Sequence, residues 1–380
     1  MSDCSALAKK TETPGFYRPL RMGGLSLEGN LFLAPVAGYT DRAFRSVCVE
    51  RGADFSFTEL VSAESIIRNR PDRRAPDDPG PLSLLLRRVD GAPYGIQLFG
   101  AEPERMGQAA ALLGPWRPEA VDINAGCPVP KVVRAGAGAA LMRDPANLGR
   151  VVEAVVRASR EYLGGVPVTV KIRSGWDGQS LNYLACGRIA VEAGAAMVTL
   201  HPRTRAQGYG GTSDWTQIAD LADRLSAPVA GSGDLYRPED AERMFRETGC
   251  AAVMFARGAL GNPFIFMETR ALLLGGARTP PGPGERMALA MVHLDRLAAD
   301  LGERRACVEM RKHFCAYTKA IRQPGAAESA DPANQARRNA AGLRGGAALR
   351  NRLVHGETIA DFRRILEEAG LAGWQARGTG

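Results

Sequence analysis

The sequence predicts an α/β protein, a (β/α)8 TIM barrel followed by a C-terminal all-helical domain. Short apolar or β-branched runs recur eight times between residues 31 and 258. Segments with helical periodicity separate most of them, the alternation expected of parallel strands joined by crossover helices. Beyond residue 270 the strand-like runs stop and only helical pattern remains. A doubly wound open sheet is the competing arrangement. The count of eight, and the polar residues at the C-terminal strand ends, favour the barrel. No G-x-G-x-x-G fingerprint follows the first strand, and GAGAAL (136–141) follows no strand directly.

Residues 1–30 read as an extension leading into a barrel over 31–274. The eight runs are LFLAPVAG (31–38), FSFTELVS (55–62), YGIQLFG (94–100), AVDINAG (120–126), VTVKIRSG (168–175), MVTLHPR (197–203), PVAGSGD (228–234) and AAVMFARG (251–258). Each ends in Gly, Pro, Ser or a charged residue, which marks a strand boundary. Helical spacing of apolar residues marks 148–163, 184–194, 216–225 and 238–249. GGARTPPGPGE (275–285) reads as a linker, because Gly and Pro interrupt both patterns. A helical domain is expected over 286–380, with helices at 286–302, 305–321 and 358–370. Residues 326–346 are low in apolar bulk and read as a mobile loop. Basic residues outnumber acidic ones from Arg304 to Arg352, which is either a binding face or an ordinary solvated one.

The 380 residues are 45% hydrophobic and 24% charged, ordinary globular values. A net charge of +8 favours a polyanionic partner. Seven scattered cysteines without a C-x-x-C pair fit a reducing compartment and exclude a disulfide framework. Four histidines, not clustered with cysteines, argue against structural zinc, and no metal is expected. MSDCSALAKK lacks the apolar segment of a secretory signal, and no run approaches the length of a membrane span. A cytoplasmic monomer is expected.

Residues two apart in a strand share a face, which pairs Asp122 with Asn124, Lys171 with Arg173 and His201 with Arg203. In a barrel the C-terminal strand ends form the active-site floor. Singly such residues are rim residues, but several at successive strand ends suggest a site. Loops after strands seven and eight, GSGD (231–234) and ARG (256–258), stand where this fold often binds phosphate. GSGD alone reads equally as a plain turn. No metal-ligand spacing, Walker A loop or nucleophile elbow is present. Cations near a phosphate site, with a cysteine opposite, suit flavin mononucleotide (FMN), since reduction places negative charge near N1 and the C2 carbonyl.

These motifs resemble the tRNA-dihydrouridine synthases, most closely the bacterial B-type subfamily. The carrying segments are APVAGYTDRAFR (34–45), QLFG (97–100), DINAGCPVPKVVRAGAGAALMRDP (122–145), VKIRSGWD (170–177), HPRTRAQGYGGTSDW (201–215), GSGD (231–234), ARGALGNPFIF (256–266) and RKHFCAY (311–317). The resemblance implies an FMN-bound barrel with a helical tRNA-binding domain. It implies reduction of the C5=C6 bond of selected uridines with NADPH, hydride passing from flavin N5 to C6 and a proton from Cys127 to C5. Pro35, Val36 and Ala37 would pass under the flavin ring, and Gln97 would meet its polar edge. Lys171 and His201 would sit near the flavin. Ser232, Gly233, Asp234, Ala256 and Arg257 would serve its phosphate and ribitol. Asn124, Arg173 and Arg203 would face the substrate. Ser232 stands where the family usually has Asn, and Ala256 where it has Gly; both are small enough for close backbone approach.

A thiol with pKa near 8.5 is mostly protonated at neutral pH yet still donates, which suits Cys127. Lys131 and Arg134 lie close in sequence and would lower that pKa if close in space. They are expected instead to point toward RNA phosphate. Arg311 and Lys312 are further candidates for phosphate contacts. His313 and Tyr317, one turn apart, either stack on substrate or pack in the core. No role is carried over to 326–352. Two other readings remain: an FMN barrel acting on a free pyrimidine, and a non-catalytic nitrogen-regulation or RNA-chaperone protein.

Overall fold

The fold was obtained as a computed structural model, which describes residues 15–70, 80–319 and 346–371. The chain enters through a hairpin, β1 (Leu20–Met22) and β2 (Leu25–Leu27), paired antiparallel across a turn at Gly23. Leu20, Met22 and Leu27 pack in one buried cluster with Phe32, Phe55, Ala120, Met197, Ala230 and Ala252, which lie near the starts of the barrel strands. The hairpin therefore plugs the N-terminal end of the barrel.

Eight parallel strands make the barrel: β3 (Leu31–Leu33), β4 (Phe55–Phe57), β6 (Tyr94–Phe99), β7 (Ala120–Ala125), β8 (Val168–Arg173), β9 (Met197–His201), β10 (Val229–Ser232) and β11 (Ala252–Phe255). The short β5 (Val61–Ser62) runs beside β6. Neighbours pair in the order β4-β3-β11-β10-β9-β8-β7-β6, and β4 pairs with β6 to close the cylinder. The predicted fold class is thus observed, and each of the eight expected runs contains its strand. The strands stop earlier than their apolar runs. The ends of those runs, such as Pro35–Gly38 and Gly233–Asp234, are the loops above the C-terminal mouth.

Helices cover the outside. They are α1 (Arg42–Glu50), α2 (Ala63–Asn69), α3 (Gly80–Leu86), α4 (Pro103–Ala111), the short α5 (Pro130–Arg134), α6 (Pro145–Tyr162), α7 (Tyr183–Glu192), α8 (Thr216–Arg224), α9 (Pro238–Thr248) and α10 (Ile265–Leu273). Asp41 caps α1 by accepting from the Phe44 N–H at 2.9 Å, and Asp144 caps α6 through the Asn147 N–H. The core between sheet and helices holds Val121, Ile123, Val170, Ile172, Val151 and Val155, all fully buried.

Four more helices follow: α11 (Pro283–Leu301), α12 (Glu303–Tyr317), α13 (Gly346–Leu353) and α14 (Ile359–Glu368). Helix α11 begins at Pro283, inside the stretch read as linker, because proline suits a first helical position. Of the expected mobile loop, residues 326–345 lie outside the described residues; Gly346 opens α13. Met287, Leu294, Met310, Phe314, Leu353 and Phe362 form a second apolar cluster, which Ala43 of α1 joins. Arg42 holds Asp300 through Nε at 2.8 and 3.0 Å, and Arg87 joins the same carboxylate. Gly261, at φ +72°, lies against the backbone of Ala316 and Tyr317, leaving no room for a Cβ.

Candidate active site

Strand register builds the site. Gln97 of β6 pairs with Asp122 of β7, Asn124 with Lys171 of β8, and Arg173 with His201 of β9. The expected same-face residues therefore converge at one mouth.

A run of hydrogen bonds leads from the barrel interior to Cys127. Thr169 donates to Asp122 Oδ1 at 2.5 Å, and the Gln97 amide N–H donates to Asp122 Oδ2 at 2.6 Å. Asn124 donates to Gln97 Oε1 at 2.9 Å. Asn124 Oδ1 then accepts the backbone N–H of Cys127 at 2.8 Å and of Gly126 at 3.2 Å. An ionised carboxylate only accepts, so Asp122 fixes which way each following amide points. Burial pushes Asp122 up to about 6, against the pull of the Thr169 and Gln97 hydrogen bonds and of Lys171. Gln97 is fully buried with both ends of its amide engaged. Its Oε1 holds the Asn124 amide in place.

Cys127 is half-buried and makes no disulfide. Its carbonyl accepts the Ala139 N–H at 3.0 Å. Gly138, at φ +61°, passes so close that a Cβ there would lie 2.7 Å from that oxygen. Burial pushes the thiol pKa up, and a hydrogen bond from the Val129 backbone and the charges of Arg173 and Lys171 pull it down. Lys131 and Arg134 are not among those charges. Both are exposed on α5, with no hydrogen bond or ion pair among the described residues. The tension between a protonated thiol and two nearby cations is thus resolved by direction.

Arg173 donates to Gly126 O at 2.7 Å, Thr204 O at 3.0 Å and Gly208 O at 2.8 Å. It ties the cysteine turn to the loop after β9. Lys171 is pushed down to about 8, first by burial and then by Arg173. His201 is held well below its ordinary value by burial, then by Lys171, Arg173, Arg203 and Arg257, and is neutral. Arg203 Nη1 lies 3.2 Å from His201 Nε2. Guanidinium only donates, so Nε2 accepts and the ring proton sits on Nδ1.

Arg203 corrects an expectation. Its side chain is 1% exposed and its donors are spent. They reach Gly210 O, His201 Nε2, Ser213 Oγ, Gly211 O and both oxygens of Asp234, the last at 2.7 and 2.9 Å. It is a strut and not a substrate contact. Asp234 also accepts from Ser213 N at 2.8 Å and Arg257 Nη2 at 3.3 Å, so its carboxylate holds the loop together. Ser232 spends its hydroxyl proton on Met254 O. The backbone N–H groups of Gly233, Asp234, Ala256 and Arg257 have no partner among the described residues. Gly233 has φ +110°, and a Cβ there would lie 2.8 Å from His201 Cδ2.

Pro35, Val36 and Ala37 form the turn after β3, closed by Tyr39 N and Thr40 N donating to Val36 O. Lys312 reaches this turn, its ammonium 5.5 Å from the Tyr39 ring, while ion-paired to Glu309. Arg311 points elsewhere, donating to Gly356 O. His313 and Tyr317 are buried core residues, which decides between stacking and packing. Two participants were missed. Thr169 was within reach, since it shares a face with Lys171 in VTVKIRSG. Tyr209 is exposed between the Arg173 and Arg257 guanidiniums, 5.6 and 5.3 Å from its ring, and no local pattern in the sequence announces it.

The sequence pattern of a known family, "Dihydrouridine synthase (Dus)", matches residues 32–349. The chain belongs to the dihydrouridine synthase family. As a family member it is an enzyme of oxidoreductase type. A probable tRNA-dihydrouridine synthase of Treponema pallidum (strain Nichols) is 43% identical over 358 residues, 93% of this chain and 96% of that protein. A Pseudomonas aeruginosa protein named tRNA-dihydrouridine synthase B is 34% identical over 310 residues, 81% of this chain and 89% of its own. Histamine dehydrogenase from Rhizobium sp. 4-9 superposes with a TM-score of 0.51 at 16% identity, over 74% of this chain and 51% of that one. This chain spans about half of that larger protein's length, and the likeness shows the fold alone. Among the described residues no helix is long and apolar enough to cross a membrane.

Proposed function

We propose that this family member reduces the C5=C6 bond of specific tRNA uridines, with FMN as cofactor and NADPH as reductant. The observation that carries this reading is the half-buried thiol of Cys127, held on a fixed turn near Lys171 and Arg173, in a chain of this family. The residues present fit FMN. Four unpartnered backbone N–H groups at the ends of β10 and β11, with Arg257, suit its phosphate. Lys171 and the Nδ1–H of His201 suit the electron-rich edge of its ring. When bound, FMN supplies the hydride that C6 of the uracil accepts.

The remaining chemistry belongs to the chain. Cys127 holds a proton at Sγ for C5 and keeps it at neutral pH, because burial outweighs the neighbouring cations. Asn124 and Arg173 orient the turn that carries the thiol. Lys131, Arg134 and Lys312 are proposed to meet RNA phosphates, offsetting the cost of unstacking the target base. The helical region, expected over 286–380, is proposed as the tRNA-binding part.

The test incubates purified protein with NADPH and unmodified bulk tRNA and maps dihydrouridine by position. Dihydrouridine at one or a few sites is expected. Flavin reduction without any product on tRNA, but with turnover of free uracil, would replace this reading by a free-pyrimidine reductase.

A further inference from the structure

Where α1, α11 and α12 meet, three donor groups face one another outside the site described above. They are the carboxylate of Asp41, which caps α1, and the imidazoles of His293 on α11 and His313 on α12. His293 Nε2 lies 3.9 Å from Asp41 Oδ1, and His313 Nε2 lies 3.8 Å from Oδ2. The two rings are 4.5 Å apart, and both histidines are completely buried. None of their four ring nitrogens has a hydrogen-bond partner among the described residues. Buried polar atoms are almost always paired, so this many orphans in one place ask for an occupant.

The separations exclude direct pairing, because 3.8 Å is beyond hydrogen-bond reach. Each ring faces a different carboxylate oxygen, and the three donors lie within 4.8 Å of one another. A tetrahedral ion bound at 2.0–2.2 Å sets its donors roughly 3.3–3.5 Å apart. The two carboxylate–imidazole separations would close by about half an ångström to complete such a set, and the widest donor pair, within 4.8 Å, by up to about 1.4 Å. Two imidazoles and a carboxylate suit zinc and its transition-metal neighbours over magnesium or calcium. Burial keeps His313 neutral, the form a ligand needs. The Asp41 side chain is 27% exposed, so the cluster reaches solvent on its carboxylate side.

We propose that Asp41, His293 and His313 form a structural site for a zinc-type ion that fastens the C-terminal helices to the barrel. The expectation of a metal-free protein rested on local spacing of ligands. Asp41 lies more than two hundred residues before His293, and the two histidines sit on successive helices, so no short spacing motif exists. The site is independent of the redox chemistry proposed above.

The test measures metal in tag-free, full-length holoenzyme by mass spectrometry, then strips it with a chelator and adds back zinc or cobalt. About one equivalent of zinc is expected, with a thermal midpoint that falls on stripping and recovers on zinc addition. Cobalt is expected to give the visible absorption of a tetrahedral site. His313→Gln and Asp41→Asn are expected to lose the metal. Wild-type protein without stoichiometric metal, and with a midpoint indifferent to zinc, would overturn the proposal and leave a water-filled polar pocket. Metal retained in both variants would overturn the ligand assignment.

Discussion

Two opposed pressures meet at Cys127: burial raises its pKa, and Arg173 and Lys171 lower it. A proton donor must be protonated, so activity is expected to decline only as pH rises through that raised pKa. Removing a cation raises it further. Lys171→Met is therefore expected to move the alkaline limb of kcat to higher pH, whatever it does to flavin affinity. A pH–rate profile checks this, and a limb that moves down would show that another group titrates. Cys127→Ala is expected to keep bound flavin and its reduction by NADPH, and to lower uridine reduction about 10²- to 10⁴-fold. Single-turnover flavin absorbance and dihydrouridine mapping separate the two effects. Cys127 was legible in the sequence because a Gly-Cys-Pro turn closes an alternating run. Arg203 was misread for a physical reason. Alternation identifies a face, but not whether loop carbonyls and Asp234 have already claimed the donors on it.

The strands β6, β7 and β8 act together through the hydrogen bonds that run from Thr169 to the cysteine turn. Both Asp122 oxygens accept, so a proton added there must displace one donor. Activity is therefore expected to fall as pH drops through about 6, where Asp122 takes up its proton. Stability runs the other way. A carboxyl raised above its unfolded value contributes fully below that value, near 3.8, and loses the contribution as pH rises through about 6. The swing is about 3 kcal/mol, at 1.36 kcal/mol per pKa unit. Asp122→Asn is expected to flatten both trends and to loosen the cysteine turn. Urea unfolding and kcat, each followed from pH 4 to pH 8, test the pair. Each strand was readable from its run. The connection between strands was not, because register across a sheet is absent from any local pattern.

Barrel and helical region meet across α1 through Ala43, the Arg42–Asp300 pair and the approach at Gly261. Adding a methyl at Gly261 meets two obstacles at once, a positive φ and the backbone of α12. Gly261→Ala is expected to destabilise the protein by about 3 kcal/mol or to displace the helices. Thermal unfolding and limited proteolysis between α10 and α11 would report either. The barrel and the helical tail were legible because strand count and change of pattern survive in one dimension. Their mode of contact was not, since it depends on residues more than two hundred positions apart, such as Arg42 and Asp300. The hairpin under the barrel has a consequence for kinetics. Among the described residues Leu20, Met22 and Leu27 shut the lower end, so the mouth above the strands is the doorway for traffic. Reductant and RNA must then take turns. Initial rates with both varied are expected to give parallel double-reciprocal lines, each substrate competing with the other at high concentration. Intersecting lines would mean that both fit through the doorway together.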